Sequence, residues 1–142
     1  MERRDFIRLS AVSVGVSMVI PPQTLAESNK QAAIKGDIFY TKDEPGRWSS
    51  KVATHLPNIE VTKQGGKVAV KVATAHEMKG YEHYIVKHVL LDSNYKFIDE
   101  RLFNPLEDKV AISEFTLENY SGALYALSLC NKHDLWLNSA EV

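Results

Sequence analysis

The chain has 142 residues, 44% of them hydrophobic and 25% charged, enough for one domain with a real core and too few for two. Its 17 basic residues nearly balance 18 acidic ones, which leaves no electrostatic footprint for nucleic acid and no polybasic anchor for a membrane surface. The single cysteine, Cys130, excludes an intramolecular disulfide.

Residues 2–10 read Glu-Arg-Arg-Asp-Phe-Ile-Arg-Leu-Ser, followed by an apolar stretch from Ala11 to Ile20, then Pro21-Pro22 and the small-residue exit Thr24-Leu25-Ala26. Basic, apolar and cleavable parts in that order make an export signal. The apolar run is about ten residues, far short of the roughly twenty that span a bilayer. Adjacent arginines followed by Phe6 and Leu9 resemble a twin-arginine signal, whose pathway carries folded proteins, often with a cofactor already loaded. The expected division is a cleavable signal over residues 1–26 and one mature domain over residues 27–142, located in the periplasm and free of the membrane after cleavage.

Residues 27–50 are polar and turn-rich and read as an extended lead-in with little regular structure. From Ile59 the pattern changes. Ile59 and Val61, then Val68, Val70 and Val72, alternate with polar residues on either side of Gln64-Gly65-Gly66, which predicts a hairpin. Tyr84–Leu91 is β-branched and aromatic and ends in the turn Asp92-Ser93-Asn94. Phe97–Phe103, Val110–Leu117 and Ala123–Leu129 are three further strand candidates. No segment after residue 26 keeps helical periodicity for three turns. Short, regularly spaced strands with turn signals predict an all-β, antiparallel sandwich.

The five histidines are His55, His76, His83, His88 and His133. Cys130-Asn131-Lys132-His133 lets a thiolate and an imidazole reach one metal from a turn after a strand. Either residue alone could equally be a packed small hydrophobe or a solvated imidazole. There is no second cysteine for a structural tetrahedral zinc site, and imidazole-rich ligation with one thiolate suits iron, copper or zinc. A copper site of the two-histidine, one-cysteine type would want an axial methionine, and Met78 is the only one after the signal. In a regular strand, side chains at 83 and 88 point to opposite faces. His88 is therefore expected to pack or hydrogen-bond on the other face of the sheet from His83.

Three words, His55-Leu56-Pro57, Glu82-His83-Tyr84-Ile85 and above all Leu124-Tyr125-Ala126-Leu127-Ser128-Leu129-Cys130-Asn131-Lys132-His133-Asp134-Leu135-Trp136, resemble in content and order the iron-binding domain of the superoxide reductase family, that of neelaredoxin and desulfoferrodoxin. The resemblance spans roughly residues 35–138. It implies an immunoglobulin-like antiparallel β-sandwich of about seven strands carrying one iron that cycles between Fe2+ and Fe3+. Carried over position by position, it makes His55, His76, His83 and His133 equatorial ligands and Cys130 the axial thiolate, with the sixth position left open. The implied reaction is one-electron reduction of superoxide to hydrogen peroxide, with electrons from an unidentified donor protein. A thiolate ligand pushes electron density toward the bound oxygen, as it does at haem. The family's extra four-cysteine iron centre is excluded by the cysteine count. Assembly through exposed edge strands, common in the family, leaves room for a homo-oligomer.

The chain departs from the family in three places. Ala53-Thr54 stand where Glu-Lys usually precedes the first histidine, so the nearest cation, Lys51, is expected to steer superoxide from a longer loop. His76 and His83 are one residue further apart than usual, with Glu77 in place of a proline, and Asp134 replaces the glycine after the last histidine. The loss of Glu-Lys gives the alternative reading, a non-catalytic iron-binding redox carrier of the same fold. A carrier thiol on a mobile tail fits poorly, because Cys130 ends an apolar strand.

Overall fold

Alternation of β-branched residues with polar ones makes the sandwich. In the computed structural model, which describes residues 34–142, eight strands form two sheets. The expected signal over residues 1–26 lies outside the described residues. In chain order the strands are β1 (Phe39–Tyr40), β2 (Asn58–Gln64), β3 (Lys67–Thr74), β4 (Ile85–Leu91), β5 (Phe97–Leu102), β6 (Ala111–Glu118), β7 (Ala123–Cys130) and β8 (Asp134–Glu141). Two 3-10 turns over Gly46–Lys51, kinked at Trp48, run into a single helical turn, α1 (Val52–His55), and a further 3-10 turn covers Gly80–Glu82.

One sheet has the order β1-β8-β7-β4-β5 and the other β2-β3-β6. Among the strand pairings of the described residues, β1–β8 alone is parallel. The expected hairpin is β2–β3, closing on Gly65, whose φ of 62° suits a residue without Cβ. Val68, Val70 and Val72 from β3 pack with Leu90, Phe115, Leu124 and Ala126 as the main core. Burying each of these larger side chains is worth about 1.5–3 kcal/mol. A smaller cluster, Ile85, Phe103, Ala111 and Cys130 with Met78 against it, sits nearer the end of the sandwich where the histidines gather. No helix among the described residues is long and apolar enough to cross a membrane.

Two expectations need correcting. The lead-in, expected to have little regular structure, holds the two-residue β1 and the 3-10 turns, and Lys51 ends those turns rather than riding a longer loop. His83 lies before β4 begins, and the β4–β7 pairing slips between Ile85 and Lys87. The alternation argument for residues 83 and 88 therefore does not apply. His88 is instead fully buried between the sheets.

Candidate metal centre

The β2–β3, β3–β6, β4–β7 and β7–β8 registers bring five chain segments to one end of the sandwich. His55 precedes β2, His76 follows β3, His83 precedes β4, Cys130 ends β7 and His133 precedes β8. One donor atom from each lies within 4.8 Å of every other.

His55 is aimed inward by the way α1 stops. Pro57 disfavours a helical Leu56, which leaves the turn extended at φ −66° and ψ 124°. The buried ring then places Nδ1 3.1 Å from the Lys51 carbonyl and 2.8 Å from the Thr54 hydroxyl. A carbonyl can only accept, so Nδ1 carries the proton and Nε2 keeps its lone pair. His76 is held in the same way. Its backbone N–H donates to the Thr74 carbonyl at 2.8 Å and its Nδ1–H donates to the Glu77 carbonyl, which again frees Nε2.

The longer loop between His76 and His83 is taken up by the turn at Gly80–Glu82, where Gly80 has φ 54°. Lys79 N–H donates to the His83 carbonyl at 2.9 Å. Asn131 clamps this loop to the Cys130–His133 turn. Its carboxamide accepts from Tyr84 N–H at 3.0 Å and donates to the Glu82 carbonyl at 3.0 Å and the Tyr81 carbonyl at 3.3 Å.

The four imidazoles stand at the corners of a near-square. Adjacent ring centroids are 4.6 Å apart for His55–His76, 4.4 Å for His76–His83, 4.9 Å for His83–His133 and 4.8 Å for His55–His133. The diagonal from His55 to His83 is 6.2 Å. Along three edges the donor nitrogens face each other, His55 Nε2 to His133 Nδ1 at 3.1 Å, His83 Nε2 to His133 Nδ1 at 3.1 Å, and His76 Nε2 to His83 Nε2 at 3.0 Å. Cys130 Sγ is nearly equidistant from two opposite corners, 3.7 Å from His76 Nε2 and 3.6 Å from His133 Nδ1.

These spacings fit a resident metal ion. Two nitrogens bound at about 2.1 Å and at right angles to one another stand about 3.0 Å apart. Converging lone pairs on neutral rings repel one another unless a cation sits among them. The rings are kept neutral chiefly by burial, which lowers all four histidines and pushes His55 down to about 4. Burial raises the Cys130 thiol, although backbone N–H groups of Lys132 and His133 point at the sulfur and oppose that rise. Cys130 would hold a metal as its thiolate, giving up that proton.

Sequence reasoning missed the collar around this square. Trp48 stands edge-on to His133 with centroids 4.7 Å apart. Its indole N–H donates to Asp134 Oδ2 at 2.8 Å, and Arg47 pairs with the same oxygen at 2.6 Å. Asp134 has φ 65°, the left-handed backbone that explains a glycine there, and its carboxylate is held low first by Trp48 and then by Arg47. The Trp136 indole N–H donates to the His133 carbonyl at 2.9 Å. The one signal for any of these was the presence of Asn131, Asp134 and Trp136 in the longest recognisable word. Nothing local connects Arg47 to a partner 87 residues away.

Lys51 sits at the rim, half-buried, and its positive charge helps lower His76, His83 and His133. Lys132 acts on His83 and His133 in the same sense. Ala53 and Thr54 are exposed on α1. His88 has no part in the square.

Residues 47–139 match the family model described as Desulfoferrodoxin. A superoxide reductase of Pyrococcus abyssi is 31% identical over 109 residues, which cover 68% of this chain and 92% of that protein. Among solved structures, the superoxide reductase (neelaredoxin) from Ignicoccus hospitalis is 30% identical with a TM-score of 0.62, covering 75% of this chain and 95% of its own. The reduced form of the corresponding protein from Archaeoglobus fulgidus is 26% identical with a TM-score of 0.59, covering 75% and 98%.

Proposed function

This chain belongs to the desulfoferrodoxin family of superoxide reductases, and we propose that it reduces superoxide to hydrogen peroxide at a single iron held by His55, His76, His83, His133 and Cys130. The observation that carries this reading is the near-square of four imidazoles with one thiol beside it, all five donor atoms within 4.8 Å. Held there by these five residues, iron would supply the electron.

The chain's own residues do the rest. The carbonyls of Lys51 and Glu77 hold the Nδ1 protons of His55 and His76, which fixes both tautomers before any metal arrives. Cys130 supplies the electron-rich sulfur, seated in the apolar cluster of Ile85, Phe103 and Ala111, where water has little access. The ammonium of Lys51 gives the rim a positive field that gathers an anionic substrate. Each superoxide takes one electron and two protons from solvent to leave as hydrogen peroxide, and no dioxygen forms. A donor protein returns the electron.

The same reading extends to residues 1–26 as a twin-arginine signal, to residues 27–142 as the mature domain, and to the periplasm as its location. Self-association through the exposed edge of β5, where Phe97 and Leu102 face solvent, belongs with it.

Pulse radiolysis of the reduced, iron-loaded mature protein tests the function. One superoxide consumed and one peroxide formed per iron oxidised, with no dioxygen, is the expected outcome. Iron that stays reduced through a burst of superoxide moves the protein to the redox-carrier reading, which the absence of Glu-Lys favours.

A further inference from the structure

Four polar side chains lie buried between the sheets, one layer beneath the metal centre: Thr74, His88, Ser113 and Ser128. Such burial costs free energy unless every group is paired. Here they form one chain of hydrogen bonds. Ser113 Oγ meets His88 Nδ1, His88 Nε2 meets Thr74 Oγ1 at 2.8 Å, and Thr74 Oγ1 meets Ser128 Oγ at 2.8 Å. Thr74 and Ser113 belong to one sheet, His88 and Ser128 to the other, so all three bonds cross the gap. The neutral state that burial imposes on His88 leaves one ring nitrogen to donate and one to accept, which suits this relay.

The placement along the strands is specific. On the inward face of β3 the order is Val68, Val70, Val72, Thr74, and on that of β7 it is Leu124, Ala126, Ser128, Cys130. In each strand the apolar series gives way to a hydroxyl at the last inward position before a donor residue. Thr74 is also tied directly to His76, whose backbone N–H donates to the Thr74 carbonyl at 2.8 Å. Ser128 lies two residues before Cys130 on the same face of the same strand.

We propose that the Thr74–Ser128 bond, braced by His88 and Ser113, is a positioning device that sets the distance between His76 and Cys130 across the two sheets. Apolar side chains could fill this layer, but only directional bonds pin two strand ends belonging to different sheets. The proposal rests on the iron reading of the centre.

The test compares Thr74→Val, which keeps the shape and loses the hydroxyl, with Thr74→Ser, which keeps the hydroxyl, and with Ser128→Ala. Release of iron to excess chelator and the position of the visible thiolate-to-iron band are read on each oxidised protein. Thr74→Val and Ser128→Ala are expected to release iron about tenfold faster, the lower end of the cost of losing a group that orients a ligand, and to shift the band. Thr74→Ser should restore both. Release within twofold of wild type and an unmoved band in Thr74→Val overturn the proposal, as does a Thr74→Ser protein no better than Thr74→Val. If Thr74→Val does not fold, Ser128→Ala decides by the same two readings. A wild-type protein that takes up no iron overturns the reading of the centre, and the proposal with it.

Discussion

His55 and His88 are both buried, and burial pushes both down to about 4, yet the two regions they occupy differ in kind. His88 has a hydroxyl against each ring nitrogen, and its hydrogen-bonding capacity is spent. His55 spends its Nδ1 on the Lys51 carbonyl and the Thr54 hydroxyl and turns Nε2 toward the donor nitrogen of His133. A buried imidazole with complementary partners is structure. Imidazoles whose lone pairs meet one another form a place for a cation. The sharpest way to break this distinction is to remove donors from each region. Cys130→Ser should abolish the visible thiolate-to-iron band of the oxidised protein outright, and its survival would remove Cys130 from the centre. His55→Ala should weaken iron binding by at least about 100-fold, the upper end for losing a group that only orients a ligand, against tenfold or less for His88→Gln in the same chelator competition. Equal losses would erase the difference between the two histidines.

The pH dependence of folding sharpens the comparison from the other side. An unfolded histidine takes up a proton near pH 6.5, whereas folded His88 stays neutral until about pH 4. Between those values the unfolded chain binds more protons, so acidification favours unfolding, by up to about 3 kcal/mol for this one group. The metal-free wild-type protein should lose stability steadily from pH 6.5 to 4 in denaturant titrations. His88→Gln starts lower at pH 7, because Ser113 and Thr74 lose their fitted partner, but its slope across the window should be shallower. An unchanged slope would mean that His88 takes up its proton in the folded state.

What the sequence made legible follows the same division. Residues whose role is set by neighbours two or four positions away were readable. The alternation of Val68, Val70 and Val72 predicted β3, and the spacing of Cys130 and His133 predicted that they would share a turn. Roles set by distant parts of the chain were not. Strand β8 was missed because its apolar core is the unbroken run Leu135-Trp136-Leu137, of which only Trp136 is buried, so no alternation marks it. Strand β1 is two residues long and exists only because β8 offers it an edge. His88 packs and hydrogen-bonds away from the metal centre as expected, but strand parity gave it the wrong face, since parity needs an unbroken strand and the β4–β7 pairing slips after Ile85.

Asp134 is a case where a local rule and a distant contact oppose each other. Its φ of 65° favours glycine, while its carboxylate joins the β7–β8 turn to Arg47 and Trp48. Asp134→Gly gives up the clasp but relaxes the backbone, and Asp134→Ala gives up the clasp and keeps the strain. A left-handed residue with a Cβ costs about 1–2 kcal/mol. Asp134→Ala should therefore be the less stable of the two by about 1 kcal/mol in denaturant titrations. Equal stabilities would show that the turn relaxes out of the left-handed region once the carboxylate is gone.

The smallest expected effect concerns the rim rather than either buried region. Lys51 is felt at His76, His83 and His133, Lys132 at His83 and His133, and Lys79, which is paired with Glu77 at 2.8 Å, at His83. If the field over the centre gathers superoxide, the loss of each charge should slow oxidation of the reduced protein in that order. Lys51→Ala should cost about two- to fivefold at low ionic strength and progressively less as salt shortens the reach of the charge to about 8 Å. Iron binding and the visible band should stay as they were, which separates steering from damage to the centre. A rate independent of both Lys51 and salt would return that lysine to the solvated surface. It would leave the backbone carbonyl of Lys51, bonded to His55 Nδ1, as the residue's whole contribution.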